Sequence, residues 1–486
     1  MTESRSRVGF LVAGERVQGS GTPFSSVDPA TGEVNYEVAA AGAEDVARCV
    51  EAAQEAVARP GWRDMRPHER ARILSAIADG IVAKADDLAA IQRRENGKVL
   101  AECRTQVASA AATFRYYAGV CETTGSEVTP SRGDYLSMTT YEPVGVVAAI
   151  TPWNSPLTME AQKIAPALAA GNAVIVKPSE VTPTAAIAVA EIALAAGLPP
   201  GLLNVLTGTG TETGVPLVRH PGVRMVSFTG GTETGRAIAQ IAAGRLIPAA
   251  LELGGKSPHI VFADADLDRA AAAVQDGIFE GSGQSCVAGS RLFVERKALD
   301  RMVALMRERA TSLKVGMPLA PDSRMGPLAS FRQRETVERF VQSARDEGGE
   351  IIAGGARPDD AALAAGAFYL PTLIGGLDGS ARVVREEIFG PVLCILPFDD
   401  EEDLIAQANG TAFGLASGIW TSDVTRALRI ARRIEAGTVW INTYKQLSIA
   451  TPFGGYKDSG LGREKGIGGM RLYQQAKSIY LGGVKL

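Results

Sequence analysis

Between residues 145 and 253, short apolar runs alternate with Ala-rich segments of helical spacing, and this alternation leaves few folds open. The runs Gly145–Ile150, Ala173–Val176, Leu203–Leu206 and Met225–Phe228 are short and continuously apolar, as expected of strands buried on both faces. The spacing predicts helices over 158–170, 183–196 and 232–243, and the run Leu246–Leu253 closes the unit. Buried strands separated by helices require a parallel sheet covered on both sides.

The flanking segments add further units. Residues 1–40 read as short strands and turns, with Asp28-Pro29-Ala30-Thr31-Gly32 as a turn. From Glu44 to about Leu100 the pattern is helical; over Glu69–Ala83, Ile73, Leu74, Ile77 and Ile81 share one face. Another helix is expected over 101–120. Residues 125–143 read as a projecting hairpin, suited either to pairing between subunits or to a surface ornament. A second α/β unit is expected from about Gly254 to Gly466, and Ala476–Leu481 as an edge strand. A chain of 486 residues should hold about two or three domains.

Composition excludes several function classes. A formal net charge of -4, without a long Lys/Arg run, argues against nucleic acid as a partner. Five scattered cysteines, with no Cys-x-x-Cys, make neither a disulfide framework nor a metal cluster. Three histidines (His68, His220, His259) disfavour a His-ligated metal or a Ser-His-Asp triad, so no metal is expected. The start Met1-Thr2-Glu3-Ser4-Arg5 lacks a signal-peptide pattern, and no apolar run reaches membrane-spanning length. The expectation is a cytoplasmic protein in a reducing compartment.

Six stretches could carry chemistry. Gly281-Ser282-Gly283-Gln284-Ser285-Cys286 sets a thiol among small residues that let a ligand approach the backbone. Gly208-Thr209-Gly210-Thr211-Glu212-Thr213-Gly214 and Phe228-Thr229-Gly230-Gly231 are glycine loops beside strands, suited to phosphate or to a plain turn. Lys177-Pro178-Ser179-Glu180 ends a buried strand, where an ammonium and a carboxylate can bind ribose hydroxyls; the carboxylate would repel a 2′-phosphate, favouring NAD over NADP. Asn154, after the strand 145–150, can donate to a developing oxyanion. Glu252, between Leu251 and Leu253, would be desolvated and suited to general-base work. Each stretch alone is also compatible with a purely structural role.

Taken in order, these stretches resemble the aldehyde dehydrogenase superfamily over almost the whole chain. The shared motifs are Pro152-Trp153-Asn154, Lys177-Pro178-Ser179-Glu180, Phe228-Thr229-Gly230, Leu251-Glu252-Leu253-Gly254-Gly255-Lys256, Gly283-Gln284-Ser285-Cys286, Glu386-Glu387-Ile388-Phe389-Gly390-Pro391 and Pro452-Phe453-Gly454-Gly455. Glu252 precedes Cys286 by 34 residues, the family's spacing. The resemblance implies a Rossmann-like NAD-binding domain (1–124 and 144–253), an α/β catalytic domain (254–466) and a small β oligomerisation domain (125–143 and 467–486) forming a homodimer or homotetramer. It implies NAD-dependent oxidation of a small aldehyde. Cys286 would be the nucleophile, Asn154 and the Cys286 N–H the oxyanion donors, and Glu252 the base for thioester hydrolysis. Lys163 and Glu464 match a pair proposed as a proton relay. Glu387 would hold the nicotinamide ribose and Phe389 pack at the nicotinamide end. The cofactor would also meet Ile150, Thr151, Pro152, Trp153, Lys177, Ser179, Glu180, Gly210, Phe228, Thr229, Gly230, Gly231 and Leu253. The aldehyde would meet Ser155, Gln162, Ser285, Val287 and Phe453.

Two departures bear on specificity. Gly231 stands where many members carry a serine that touches the pyrophosphate. Ser155 and Gln162 replace aromatic residues of the aldehyde channel, which suggests a polar or aromatic semialdehyde as substrate; Tyr444, Lys445, Gln446 and Leu447 could add to the same pocket. A CoA-acylating relative would lack the base at Glu252. A catalytically silent scaffold would have lost at least one of Cys286, Glu252 and Asn154.

Overall fold

A computed structural model describes residues 7–130 and 132–483; the N-terminal stretch Met1–Arg5 lies outside the described residues. The alternation from 145 to 253 folds as a parallel sheet. Its strands lie in the order Leu203–Val205, Ala173–Lys177, Val146–Ile150, Val223–Thr229 and Ala249–Glu252, all parallel. Antiparallel additions extend both edges: the hairpin Phe10–Val12/Glu15–Val17 on one side and Gly460–Leu461 on the other. The strand first in sequence, Val146–Ile150, lies at the centre, so the winding reverses between it and Val223–Thr229. In such a sheet the crevice for a nucleotide opens at the carboxyl ends of those two strands. Thr151–Asn154 and Thr229–Gly231 follow them.

A second sheet is built between 258 and 441. Its order is Glu350–Ala353, Thr372–Gly375, Val392–Phe398, Arg291–Glu295, Pro258–Val261, Ala416–Trp420 and Thr438–Ile441, parallel except for the first strand. Alternate residues feed different cores, as a period of two demands. Ile260, Phe293, Leu396 and Ile419 pack on one face. Val261, Leu292, Val294 and Ile395 pack on the other. The first sheet has its own apolar core, with Val147, Ile175 and Val226 completely buried. Residues 253–257 carry the chain from the end of one sheet to the start of the other.

The region 125–143 forms the expected hairpin, Glu127–Thr129 with Tyr135–Pro143. The C-terminal strand Gln474–Gly482 pairs with it antiparallel over its whole length, from Gln474 opposite Pro143 to Gly482 opposite Tyr135. Ile479, Tyr480 and Leu481 are exposed on this small sheet. One difference from the sequence reading concerns 210–219. The glycine-rich stretch Gly210–Gly214 is a helical turn running into the helix Val215–Arg219, with Thr209 capping it by accepting from the Glu212 N–H at 3.2 Å. No helix among the described residues is long and apolar enough to cross a membrane.

Candidate active site

Cys286 lies between the helix Leu267–Phe279 and the strand Arg291–Glu295. The glycines before it give close contact rather than mobility. A side chain at Gly283 (φ +72°) would come within 2.1 Å of the Gly390 carbonyl oxygen. Ser282, itself left-handed at φ 58°, donates to the carbonyls of Gly326 (2.8 Å) and Pro327 (3.1 Å). Gln284 is buried; its Nε2 donates to the Gly281 carbonyl (3.1 Å) and its Oε1 accepts from the Ala329 N–H (2.9 Å). The thiol is therefore presented on a clamped loop. Burial, then Glu387 and Glu252, push it up to about 12, so it holds its proton at neutral pH.

Asn154 reaches this loop: its Nδ2 donates to the Gln284 carbonyl at 2.8 Å. One amide hydrogen is thus committed, which fixes the side chain, and the other remains for a substrate oxygen. Ser155, next in sequence, opens the helix Pro156–Ala169 and accepts from Gln106 Nε2 at 3.1 Å. Gln162 is buried on the same helix.

Two carboxylates flank the thiol differently. Glu252 ends its strand and is only 4% exposed, and neither carboxylate oxygen has a hydrogen-bond partner. Its proton affinity is raised well above the usual carboxylate range, by burial first and then by Glu464; Lys163, Arg463 and Lys465 oppose the rise. Glu387 instead accepts from the Gly255 N–H at 3.0 Å, and burial pushes it up to about 7 against that hydrogen bond and Lys256. A side chain at Gly254 would strike Glu387 Oε2 at 2.3 Å, so the Gly254-Gly255 pair makes room for this carboxylate.

Lys163 and Glu464 form a buried pair at 2.6 Å, far apart in sequence but adjacent to Glu252. Lys163 also donates to Ser227 Oγ (3.1 Å), which accepts from the Tyr473 hydroxyl (3.0 Å). Phe453 and Glu464 bond each other's backbones at 2.8 and 2.7 Å. Val287, Phe453, Tyr444 and Trp440 form one apolar cluster with the Cys286 side chain against it. The Tyr444 hydroxyl donates to the Val287 carbonyl at 2.9 Å and its ring stacks on His259 at 4.4 Å. Lys445 turns aside to the Asp276 carbonyl (3.0 Å) and Glu280 (3.1 Å), and Leu447 is 47% exposed. Ser285 is half-buried beside Cys286. A cavity of about 720 Å³ adjoins the start of the loop, lined by Glu102, Thr105, Phe279, Glu280, Tyr444 and Lys445.

The remaining positions line the carboxyl edge of the first sheet. Lys177 is buried 3.6 Å from the half-exposed Glu180, and Ser179 Oγ accepts from the Val181 N–H at 3.2 Å. A Cβ on Gly214 would touch Lys177 Cδ at 4.0 Å, which brings the turn begun by Gly210 beside this lysine. Phe228 is buried and packs over Gly230; Leu253 packs over Gly235. Ile150, Thr151 and Pro152 follow at the switch point, and the Trp153 and Phe389 rings meet edge to face at 5.2 Å. Thr151, Thr229 and Thr232 each carry a buried hydroxyl with no partner, and open space surrounds Gly210 and Gly231. Unused donors beside open space at the switch point suit the phosphates and ribose of a dinucleotide. Sequence reasoning missed Lys465, which lies over the Phe453 ring at 5.0 Å; only its place beside Glu464 could have signalled it.

A nucleotide-type sheet whose crevice faces a clamped thiol and an unpaired buried carboxylate is the layout of an enzyme that works with a dinucleotide cofactor. The chain belongs to the aldehyde dehydrogenase family, whose model matches residues 16–479. It is similar to betaine aldehyde dehydrogenase of Staphylococcus aureus, in a point mutant solved with NAD+, at 38% identity over 98% of this chain and 96% of that one, with a TM-score of 0.96. It is equally similar to the NAD+ complex of an aldehyde dehydrogenase from Bacillus cereus, at 38% identity over 98% and 97% of the two chains, TM-score 0.96. The chain is thus an oxidoreductase acting on aldehydes.

Proposed function

We propose that this chain uses NAD to oxidise a polar or aromatic semialdehyde to the carboxylic acid, with Cys286 as nucleophile and Glu252 as base. The observation that carries this reading is the unpartnered, buried carboxylate of Glu252 beside the thiol. The NAD+ complexes of similar enzymes support the cofactor. NAD supplies the hydride acceptor when bound. Thr151, Thr229 and Thr232, the open space at Gly231, and Glu387 would hold it, and Lys177 and Glu180 would meet the adenine ribose.

Cys286 adds to the aldehyde carbon, and the thiol proton must leave for a nearby base. Asn154's free amide hydrogen and the Cys286 N–H stabilise the resulting oxyanion. Each such donor is worth about 2.7–4 kcal/mol in the transition state. After oxidation the acyl group remains as a thioester on Cys286, and Glu252 takes a proton from the water that hydrolyses it. Lys163, Ser227 and Glu464 offer a buried route for that proton. Ser155 and Gln162 give the aldehyde channel its polar wall. The exposed apolar residues of Gln474–Gly482 favour self-association through the small sheet, as a homodimer or homotetramer, consistent with a division of the chain into NAD-binding, catalytic and oligomerisation domains.

The test is NADH formation at 340 nm from a panel of aliphatic, aromatic, amino- and carboxy-aldehydes without CoA, for wild type and Cys286→Ala. Activity lost in the variant is the expected result. Activity that appears only with CoA would overturn the hydrolytic role of Glu252, and equal efficiency with NADP would remove the role given to Glu180.

A further inference from the structure

Lys465 is a buried lysine whose charge is offset only without direct pairing, by Glu464 and Glu252 at longer range and by the Phe453 ring beneath it. It is 6% exposed, yet among the described residues no carboxylate lies within ion-pair distance of its ammonium and no acceptor takes a hydrogen bond from it. The nearest acid in sequence, Glu464, is already paired with Lys163 at 2.6 Å. Burial of an unpaired ammonium is unfavourable unless something compensates it. The backbone is also held in an unusual state. Lys465 has φ 62° and ψ 172°, a region occupied almost solely by glycine, and Gly466 follows at φ 60°. That conformation is fixed from outside: the Gly466 N–H donates to the Ile449 carbonyl at 2.8 Å, and Glu464 is bonded to Phe453. Its effect is to turn the lysine side chain over the Phe453 ring, 5.0 Å from the centroid. Phe453 belongs to the apolar cluster that holds Cys286, and the ammonium is near enough to act on the charges of both Cys286 and Glu252.

Resting on the reading of Cys286 and its surroundings as an aldehyde site, we infer that the substrate carries a carboxylate as well as its aldehyde, and that Lys465 holds that carboxylate beside Phe453. A single ammonium balances a monoanion. A phosphate would bring nearly two charges to a site already containing Glu252, Glu387 and Glu464. The half-buried Ser155 hydroxyl and buried Gln162 provide the polar wall that an oxygen-rich substrate requires. The product of such a reaction is a dicarboxylate, so an ammonium that also binds the new acid's companion group would make the product a competitive inhibitor.

The experiment compares succinate semialdehyde with butanal, aldehydes of equal carbon number, using the full chain with NAD. The ratio of their kcat/KM values should favour the semialdehyde in wild type. It should fall by about tenfold or more in Lys465→Met, because a site built for a polar group discriminates strongly against its absence. The fall should lie in KM for the semialdehyde and be partly recovered in Lys465→Arg. Equal losses on both substrates would overturn the inference, since the lysine would then act through Glu252 or Cys286. An unchanged ratio would overturn it as well. If the variants fail to fold, wild type still decides: succinate and butyrate should compete with butanal oxidation and uncharged butyramide should not, and equal inhibition by acid and amide would contradict the assignment. No NADH from either aldehyde in wild type would overturn the parent reading of the site together with this one.

Discussion

Glu252, buried, and Glu387, half-buried, are both within electrostatic reach of the same thiol, yet only one is anchored. Glu387 rests on the Gly255 N–H at 3.0 Å and faces Lys256, and burial pushes it up to about 7 against them. Glu252 has no hydrogen bond to either oxygen and a like charge nearby at Glu464, and its proton affinity is raised well above the usual carboxylate range. An anchored carboxylate is a good holder and a poor base, because moving it means giving up its donor. An unanchored, desolvated one is free to turn toward water and bind a proton tightly. On the proposed reading, the pocket divides its labour between two residues of similar chemistry by giving a hydrogen bond to one and withholding it from the other.

The largest way to disturb this division is through the cations. Lys163→Met leaves Glu464 buried without its partner and should lower stability by about 3–5 kcal/mol, read as a fall in Tm. It also removes an interaction that holds Glu252 down, so the rise of kcat with pH should shift to higher pH. Unchanged Tm and pH profile would show that the pair does not bear on Glu252. Lys256 faces Glu387 in the same way, and its own ammonium is lowered to about 8 by burial. Lys256→Met should raise Glu387 above 7 and weaken cofactor binding, visible in KM for NAD, without moving the pH dependence of kcat.

A smaller effect shows both carboxylates through stability. Both bind a proton more tightly when folded than the usual carboxylate value of 4.5, so the folded state holds more protons than the unfolded chain above that value. Each therefore lowers stability as pH rises from there. Glu387→Gln, which keeps an acceptor for Gly255, should raise Tm by a few degrees at pH 8 and little at pH 5, with the gain levelling above about pH 7. For Glu252→Gln the gain should likewise grow as pH rises from 4.5. A gain that shrinks with rising pH in either variant would contradict the raised proton affinity of that carboxylate.

The smallest effect lies on the cofactor side. Gly231 caps the helix Thr232–Gly244 without a side chain, and a Cβ there meets open space. Gly231→Ser should add a few tenths of a kcal/mol of stability and change KM for NAD by no more than a few-fold. A large loss of NAD affinity would mean that the open space is needed by the cofactor itself.

Much of this arrangement is legible in the sequence. The alternation of apolar runs and helices specifies the first sheet, and Leu251 and Leu253 announce that Glu252 is desolvated. Other features depend on contacts between distant segments. The small residues before Cys286 suggest a loose loop, but Gly283 is small because the Gly390 carbonyl lies against it. Asn154 is recognisable as a donor, while its bond to the Gln284 carbonyl joins residues 130 apart. The stretch 210–219 hides its helix because glycines and threonines are poor helix formers, and only tertiary packing holds the turn. Gly460–Leu461 belongs to the first sheet although it lies deep in the second half of the sequence, since two residues carry no periodicity. Lys465 has no sequence signal of its own, because its significance lies in the absence of a partner.

The most direct measurement is pre-steady-state NADH formation by Glu252→Gln beside Glu387→Gln, with NAD and the best aldehyde of the panel. For Glu252→Gln the account predicts a burst of NADH close to one per active site, followed by turnover slowed about 10²–10⁴-fold. For Glu387→Gln it predicts a slower burst, with no step after it made limiting. Equal steady-state rates for Glu252→Gln and wild type, or a burst lost only in Glu252→Gln, would contradict the assignment of the unanchored carboxylate as the base of hydrolysis.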